Sequence, residues 1–176
     1  LYTAVRNTLL MSRANLIFKQ FISENIPFIA LKGLYLLENV YGNLGARSMS
    51  DLDILVHKED TTKTINILQQ LGYRLSTYYN AHDENIDIKH VPPMMHPDGT
   101  YVEIHWRLLE EDEPFTIAMD GVWERAVPAQ INGIEVLAEG TEDLLLHLCI
   151  HQTYQHYLSF GLKGMLDIAL VLQHHQ

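Results

Sequence analysis

The chain has 176 residues, 47% of them hydrophobic and 19% charged, with a formal net charge of -10. That length fits one domain, or a compact domain with a helical appendage, and no run approaches the roughly 18 uninterrupted apolar residues of a membrane span. The acidic balance argues against long nucleic acid as a partner, because a polyanion would approach against the overall field and no local basic patch offsets it.

The opening LYTAVRNTLLMSRAN has neither an initiator Met nor the segments of a secretory signal, so a trimmed fragment is expected. Leu10, Ala14, Ile17 and Phe21 recur at spacings of four, three and four, which predicts a helix over 3–24 with one apolar face. Asn25, Ile26 and Pro27 break it, since proline disfavours the helical region for its predecessor. The apolar run 28–31 suits a buried strand, closed by Lys32 and Gly33. A second helix is expected over 34–41, with Leu34, Leu37 and Val40 inward and Gly42-Asn43 as its cap. Residues 44–50 form a polar turn carrying Arg47. Over 51–57 the alternation predicts a strand with Asp51 and Asp53 on one face and Leu52 on the other.

Asp60 and Thr61 are good N-caps for a helix reaching Leu71. A strand is expected over 73–79, a charged loop over 80–85 and extended chain over 86–91. Pro92-Pro93 interrupts it, and 94–96 leads through the turn Pro97-Asp98-Gly99 into a strand over 100–106. After the acidic loop 110–113, a short helix is expected over 119–125, then a hairpin with Asn132-Gly133 at its tip, between 129–131 and 134–137. Thr141, followed by Glu142 and Asp143, opens a helix to Tyr154, and another covers 162–174. Strand-rich chain gives way to helices near Glu139-Gly140, so a core of 1–139 and a helical part of 140–176, itself truncated, are expected. The lone Cys149, within LLLHLCI, cannot form an internal disulfide; a cytoplasmic, reducing setting and a buried structural thiol are expected.

Two carboxylates at i and i+2 on a strand are a natural grip for Mg2+, which takes few protein ligands and shares the rest of its octahedron with substrate phosphates and water. Asp51 and Asp53 have that spacing. Glu103, in YVEIHW, offers a third carboxylate on a later strand, and three acids can hold two ions for an in-line displacement. Asp87 is a rival third acid. His105 shares the face of Glu103 and is a candidate for orienting it, binding substrate or accepting a proton, with His90 joining it across the hairpin. His147 and His151 lie four apart on a helix, but no further zinc ligands accompany them, so packing is the simpler reading. Likewise the pair His174-His175 reads as a frayed terminus, and Trp106 and Trp123 as core residues.

The segments LKG, RSMSDLDILV, KHVPP and VEIHW together resemble the uncharacterised nucleotidyltransferase family of the DNA polymerase beta-like superfamily. The resemblance implies an α+β nucleotidyltransferase fold, a mixed β-sheet flanked by helices with C-terminal helices behind it. It also implies transfer of a nucleoside monophosphate from an NTP, expected to be ATP, to a small-molecule or protein acceptor, with two Mg2+ ions and release of pyrophosphate. Gly33 matches the turn glycine of such proteins, Asp51 and Asp53 the metal pair and Glu103 the third acid. Lys32 stands where a glycine is usual and Gly33 is not followed by a serine contact, so Lys32 is expected to grip phosphate as a point charge. Arg47 reads either as a phosphate clamp or as an ion-pair partner of Asp51 or Asp53. The alternative from another class is a non-catalytic nucleotide- or partner-binding module of the same fold. Oligomeric state is not legible.

Overall fold

The computed structural model describes residues 1–75, 90–110, 113–159 and 161–175. Its α+β architecture is one mixed sheet of seven strands among the described residues, in the order β3-β4-β5-β2-β1-β7-β6, with helices packed against it. The strands are β1 (Phe28–Ala30), β2 (Asp51–Val56), β3 (Arg74–Leu75), β4 (Met94–Met95), β5 (Tyr101–His105), β6 (Val127–Ile131) and β7 (Ile134–Ala138). The helices are α1 (Tyr2–Ser23), α2 (Lys32–Tyr35), α3 (Thr61–Gln70), α4 (Met119–Glu124), α5 (Thr141–Ile150) and α6 (Leu162–His174).

The period of two in β2 divides the molecule. Leu52, Ile54 and Val56 point into the main core, where Leu10, Ala14, Ile17, Phe18 and Phe21 of α1 meet them, fully buried. Phe18 stacks on Phe28 at 4.9 Å between ring centroids and Phe21 meets the same ring edge-on at 5.5 Å. On the opposite face, Leu55 joins Ile29, Leu31, Leu108 and Val122 in a second, smaller cluster. Asp51 and Asp53 stand on that second face, beyond the end of the cluster. Trp123 packs against it and stacks on His57 at 4.0 Å.

Three local expectations shift. The strand 28–31 ends at Ala30, and Leu31 becomes the extended residue before α2. The single helix over 34–41 is instead four α-helical residues followed by a π-helical turn, Leu36–Val40, and the helix to Tyr154 likewise passes into a π-helical turn, His151–Gln155. The buried set shifts with the wider turn: Leu34, Tyr35, Leu36 and Leu37 are buried and Val40 only partly so, where α-helical spacing would put Leu34, Leu37 and Val40 inward. Cys149 is exposed: α5 turns Leu144, His147, Leu148 and Ile150 inward and leaves the thiol on its outer side, which corrects the expected burial. Residues 76–79 of the expected strand 73–79, the loop 80–85, most of the extended segment 86–91, including Asp87, and residues 111–112 of the acidic loop fall outside the described residues. No described helix is long and apolar enough to cross a membrane.

Candidate active site

β2 and β5 run parallel and in register, with Asp51 opposite Tyr101, Asp53 opposite Glu103 and Leu55 opposite His105. Side chains in register share a face, so the two strands deliver Asp51, Asp53, Glu103 and His105 to one patch. β1 is antiparallel to β2, which brings the β1-to-α2 junction to the same edge of the sheet. There Lys32 Nζ lies 3.4 Å from Asp53 Oδ2, with both side chains largely buried.

His105 organises the acids. Its Nε2 is 3.3 Å from Asp53 Oδ1 and 3.6 Å from Glu103 Oε2, while His90 Nε2 reaches Glu103 Oε2 at 4.0 Å from the bridge that pairs His90 with His105. Burial lowers the His105 imidazole, but hydrogen bonds to Asp53 and Glu103 outweigh it and raise its affinity for a proton. Burial raises Asp53, yet the Lys32 ammonium and His105 hold it well below the usual carboxylate range. Asp51 is different: burial, then the charges of Asp53 and Glu103, push its carboxyl up to about 6 against a hydrogen bond from Ser50.

The donor set fits a hard divalent cation. Three carboxylates crowd one patch, and their mutual repulsion, second to burial in raising Asp51, is what a divalent ion would neutralise. The tightest group of potential ligands is Asp53, Glu103 and His105, with Asp51 one step along β2. Mg2+ prefers oxygen, which suits His105 to orienting the carboxylates rather than to ligating.

Lys32 adopts a φ of 28°, in the left-handed region that a lysine rarely enters. Its amide faces Glu139 Oε2 at 3.4 Å, and Glu139 Oε1 is 2.7 Å from His147 Nδ1, all three residues being buried. So His147 has a structural partner, and burial lowers its proton affinity. Gly33 admits the neighbouring turn closely: a Cβ there would come within 3.1 Å of Met49 Sδ and 3.2 Å of Arg47 Nη1.

Arg47 is an ion-pair residue, but its partner is neither Asp51 nor Asp53. Its Nε and Nη2 donate to the two oxygens of Asp167 in α6 at 2.9 Å each, and the Tyr41 hydroxyl donates to Asp167 Oδ1 at 2.7 Å. This pair pins the 44–50 turn to α6. Sequence reasoning missed Asp167 and Glu139. A lone acid within the apolar helix MLDIALVL was the available signal, because a buried charge needs a partner.

Between the sheet patch and the C-terminal helices lies a cleft of about 280 Å3. Lys32, Asp51, Asp53 and Glu103 line one side, and His151, Gln152 and Lys163 the other. A family model described as an uncharacterised nucleotidyltransferase matches residues 1–176. No curated protein sequence matches the chain. Among solved structures, the antibiotic-resistance factor ANT(2'')-Ia has a TM-score of 0.69 at 15% identity, over 97% of this chain and 86% of that one. The complex of ANT(2'')-Ia with adenylyl-2''-tobramycin gives 0.67 at 15%, over 94% and 89%. The lincosamide antibiotic adenylyltransferase LnuA, with lincomycin bound, gives 0.60 at 15%, over 90% and 93%. The mixed sheet with flanking helices is thus the fold of nucleotidyltransferases.

Proposed function

The chain belongs to the uncharacterised nucleotidyltransferase family, and from that premise we propose that it moves a nucleoside monophosphate from an NTP, ATP by preference, to an acceptor hydroxyl, releasing pyrophosphate. The observation that carries this reading is the register of β2 with β5, which sets Asp53 beside Glu103 on the face that Lys32 also reaches. In this reading Asp51, Asp53 and Glu103 hold Mg2+, with two ions bound in the working complex. The metal supplies charge neutralisation of the polyphosphate and activation of the attacking oxygen.

The protein's own groups do the rest. Lys32, at the turn with Gly33, grips the leaving phosphates as a point charge, while Arg47, its charge taken up by Asp167, holds the 44–50 turn at the cleft's edge rather than clamping phosphate. His105 and His90 hold the Glu103 carboxylate in place; where Glu103 serves as general base instead of metal ligand, it accepts the proton of the acceptor hydroxyl. The core 1–139 carries this chemistry, and 140–176 walls the cleft and shapes the acceptor pocket. The acceptor is a small molecule or a protein; the likeness to enzymes of tobramycin and lincomycin favours the former. NTP and Mg2+ supply suits a cytoplasmic setting.

The test is Mg2+-dependent NTP binding and acceptor-dependent pyrophosphate release, with Asp53→Asn as the control. Nucleotide affinity unchanged in that variant would remove the metal assignment. The non-catalytic binding module draws on one observation, the Lys32 ammonium lodged against Asp53 where cation charge is needed. Tight metal-free NTP binding, without turnover on any acceptor, would favour it.

A further inference from the structure

The turn that carries Lys32 is braced from behind by a buried pair that takes no part in the chemistry above. β7 runs parallel to β1, with Ala30 opposite Ala138, so the residues leaving the two strands emerge side by side. Lys32 opens α2 there, and Glu139 leads into α5. One oxygen of Glu139, Oε2, accepts from the Lys32 amide at 3.4 Å, and the other, Oε1, from His147 Nδ1 at 2.7 Å. The side chains of Glu139 and His147 are only 1% and 2% exposed.

A carboxylate shut away from water is a costly way to fill space, since an apolar side chain would pack there without losing hydration. What the acid adds is direction. Burial, outweighing the pull of Glu139, lowers the proton affinity of His147, and a neutral imidazole has a single N–H to give. That donor holds Oε1 and leaves Oε2 facing the Lys32 amide. The amide belongs to a residue with a φ of 28°, a setting that a lysine rarely enters and that surrounding contacts must hold. From this setting the Lys32 ammonium reaches to 3.4 Å from Asp53 Oδ2. α5 has an anchor of its own, because Arg125, at the end of α4, donates to both oxygens of Asp143 at 2.8 Å. The helix is therefore fastened independently of Glu139.

We propose that Glu139, held by His147, is a positioning residue for nucleotidyl transfer, fixing the Lys32 backbone so that its ammonium meets the phosphates beside Asp53. This deepens the nucleotidyl-transfer reading and rests on Lys32 gripping phosphate. A substitution at Glu139 acts through Lys32, and so loses its effect where the ammonium is already gone.

The experiment is calorimetric titration of the 176-residue chain with Mg-ATP and Mg-tripolyphosphate, in a double-mutant cycle between Glu139 and Lys32. Glu139→Leu and Lys32→Met are each expected to weaken both ligands about tenfold, and the double variant to bind no more weakly than Lys32→Met alone. Glu139→Gln should bind as wild type does, because its Oε1 still accepts from the Lys32 amide while its Nε2 donates to the other tautomer of His147. His147→Phe keeps a ring in the pocket but releases the carboxylate. It should lose about threefold in the same Lys32-dependent way, and it carries the test where Glu139→Leu does not fold. Losses that are the same with and without the Lys32 ammonium mean a structural role only and overturn the proposal. Unchanged affinity in Glu139→Leu, or in His147→Phe where the first does not fold, overturns it too, as does a Glu139→Gln variant as weak as Glu139→Leu. All three results leave nucleotidyl transfer standing so long as Lys32→Met binds weakly. If Lys32→Met binds both ligands as wild type does, the phosphate role of Lys32 falls and the positioning role with it. Binding of neither ligand by the wild-type chain removes the nucleotidyl-transfer reading as well.

Discussion

Removing the Asp167 carboxylate should unfasten α6 from the 44–50 turn and Tyr41. The side chains of Arg47 and Asp167 are only 8% and 4% exposed, and both oxygens of Asp167 are occupied, one of them twice. Asp167→Ala leaves a guanidinium buried without its counter-charge and the Tyr41 hydroxyl without its acceptor. Breaking a buried pair from one side costs about 3–5 kcal/mol. For a chain of this length each kcal/mol corresponds to about 2–4 °C, so thermal unfolding followed by circular dichroism should show Tm falling by about 6–20 °C. The double variant Arg47→Met with Asp167→Leu removes both charges and should recover most of the loss, because apolar replacement of a whole buried pair is often neutral. A fall of less than about 2 °C in Asp167→Ala, or a double variant no more stable than the single one, would refute the closed, desolvated pair.

Three further outcomes follow from other sites. Burial raises the Asp98 carboxyl, but Thr100, Arg13 and His96 together hold it well below the usual range. A depressed folded value stabilises above the unfolded value near about 3.9 and ceases to as pH falls through the folded one. Asp98→Asn should therefore trail wild type by about 1 kcal/mol in urea unfolding at neutral pH, the gap closing in strong acid; a gap that widens in acid contradicts the assignment. At Gly140 an added Cβ would lie 2.8 Å from the Arg125 carbonyl oxygen, a backbone atom, so Gly140→Ala should lose about 1–3 kcal/mol in the same assay, and no loss would mean the two segments part freely. Lys32→Met should raise the KM for NTP about tenfold in a pyrophosphate-release assay, whereas unaltered KM would deny Lys32 its phosphate role.

The carboxylate half of the candidate site was legible because it is local. A strand's period of two places Asp51 and Asp53 on one face whatever the rest of the chain does, and the apolar spacing of α1 marked its buried stripe in the same way. Glu103 and His105 were recognisable as a pair on one face, but only the strand pairing tells that this face is the one Asp53 shares. The partners of Arg47 and Lys32 were not legible, since Asp167 lies 120 residues from Arg47 and Glu139 lies 107 from Lys32. Such contacts follow from how α5 and α6 return across the sheet. The π-helical turns were hidden for a different reason: a single turn of changed hydrogen bonding leaves too short a stretch for its period to show in the apolar spacing.

The parallel pairing of β2 with β5 gives the site a reading frame. Shifting β5 by one residue would present Val102 or Ile104 to Asp53 and turn Glu103 toward the α1 core, abolishing the acidic patch with every acid still in the chain. Val102 and Ile104, both buried in that core, oppose such a slip, because the other frame would drive the Glu103 carboxylate into it and take two aliphatic side chains out. The apolar residues between the functional ones thus act as the clock of the site. Insertions in the long connection between the two strands are tolerable so long as these two aliphatic side chains keep time.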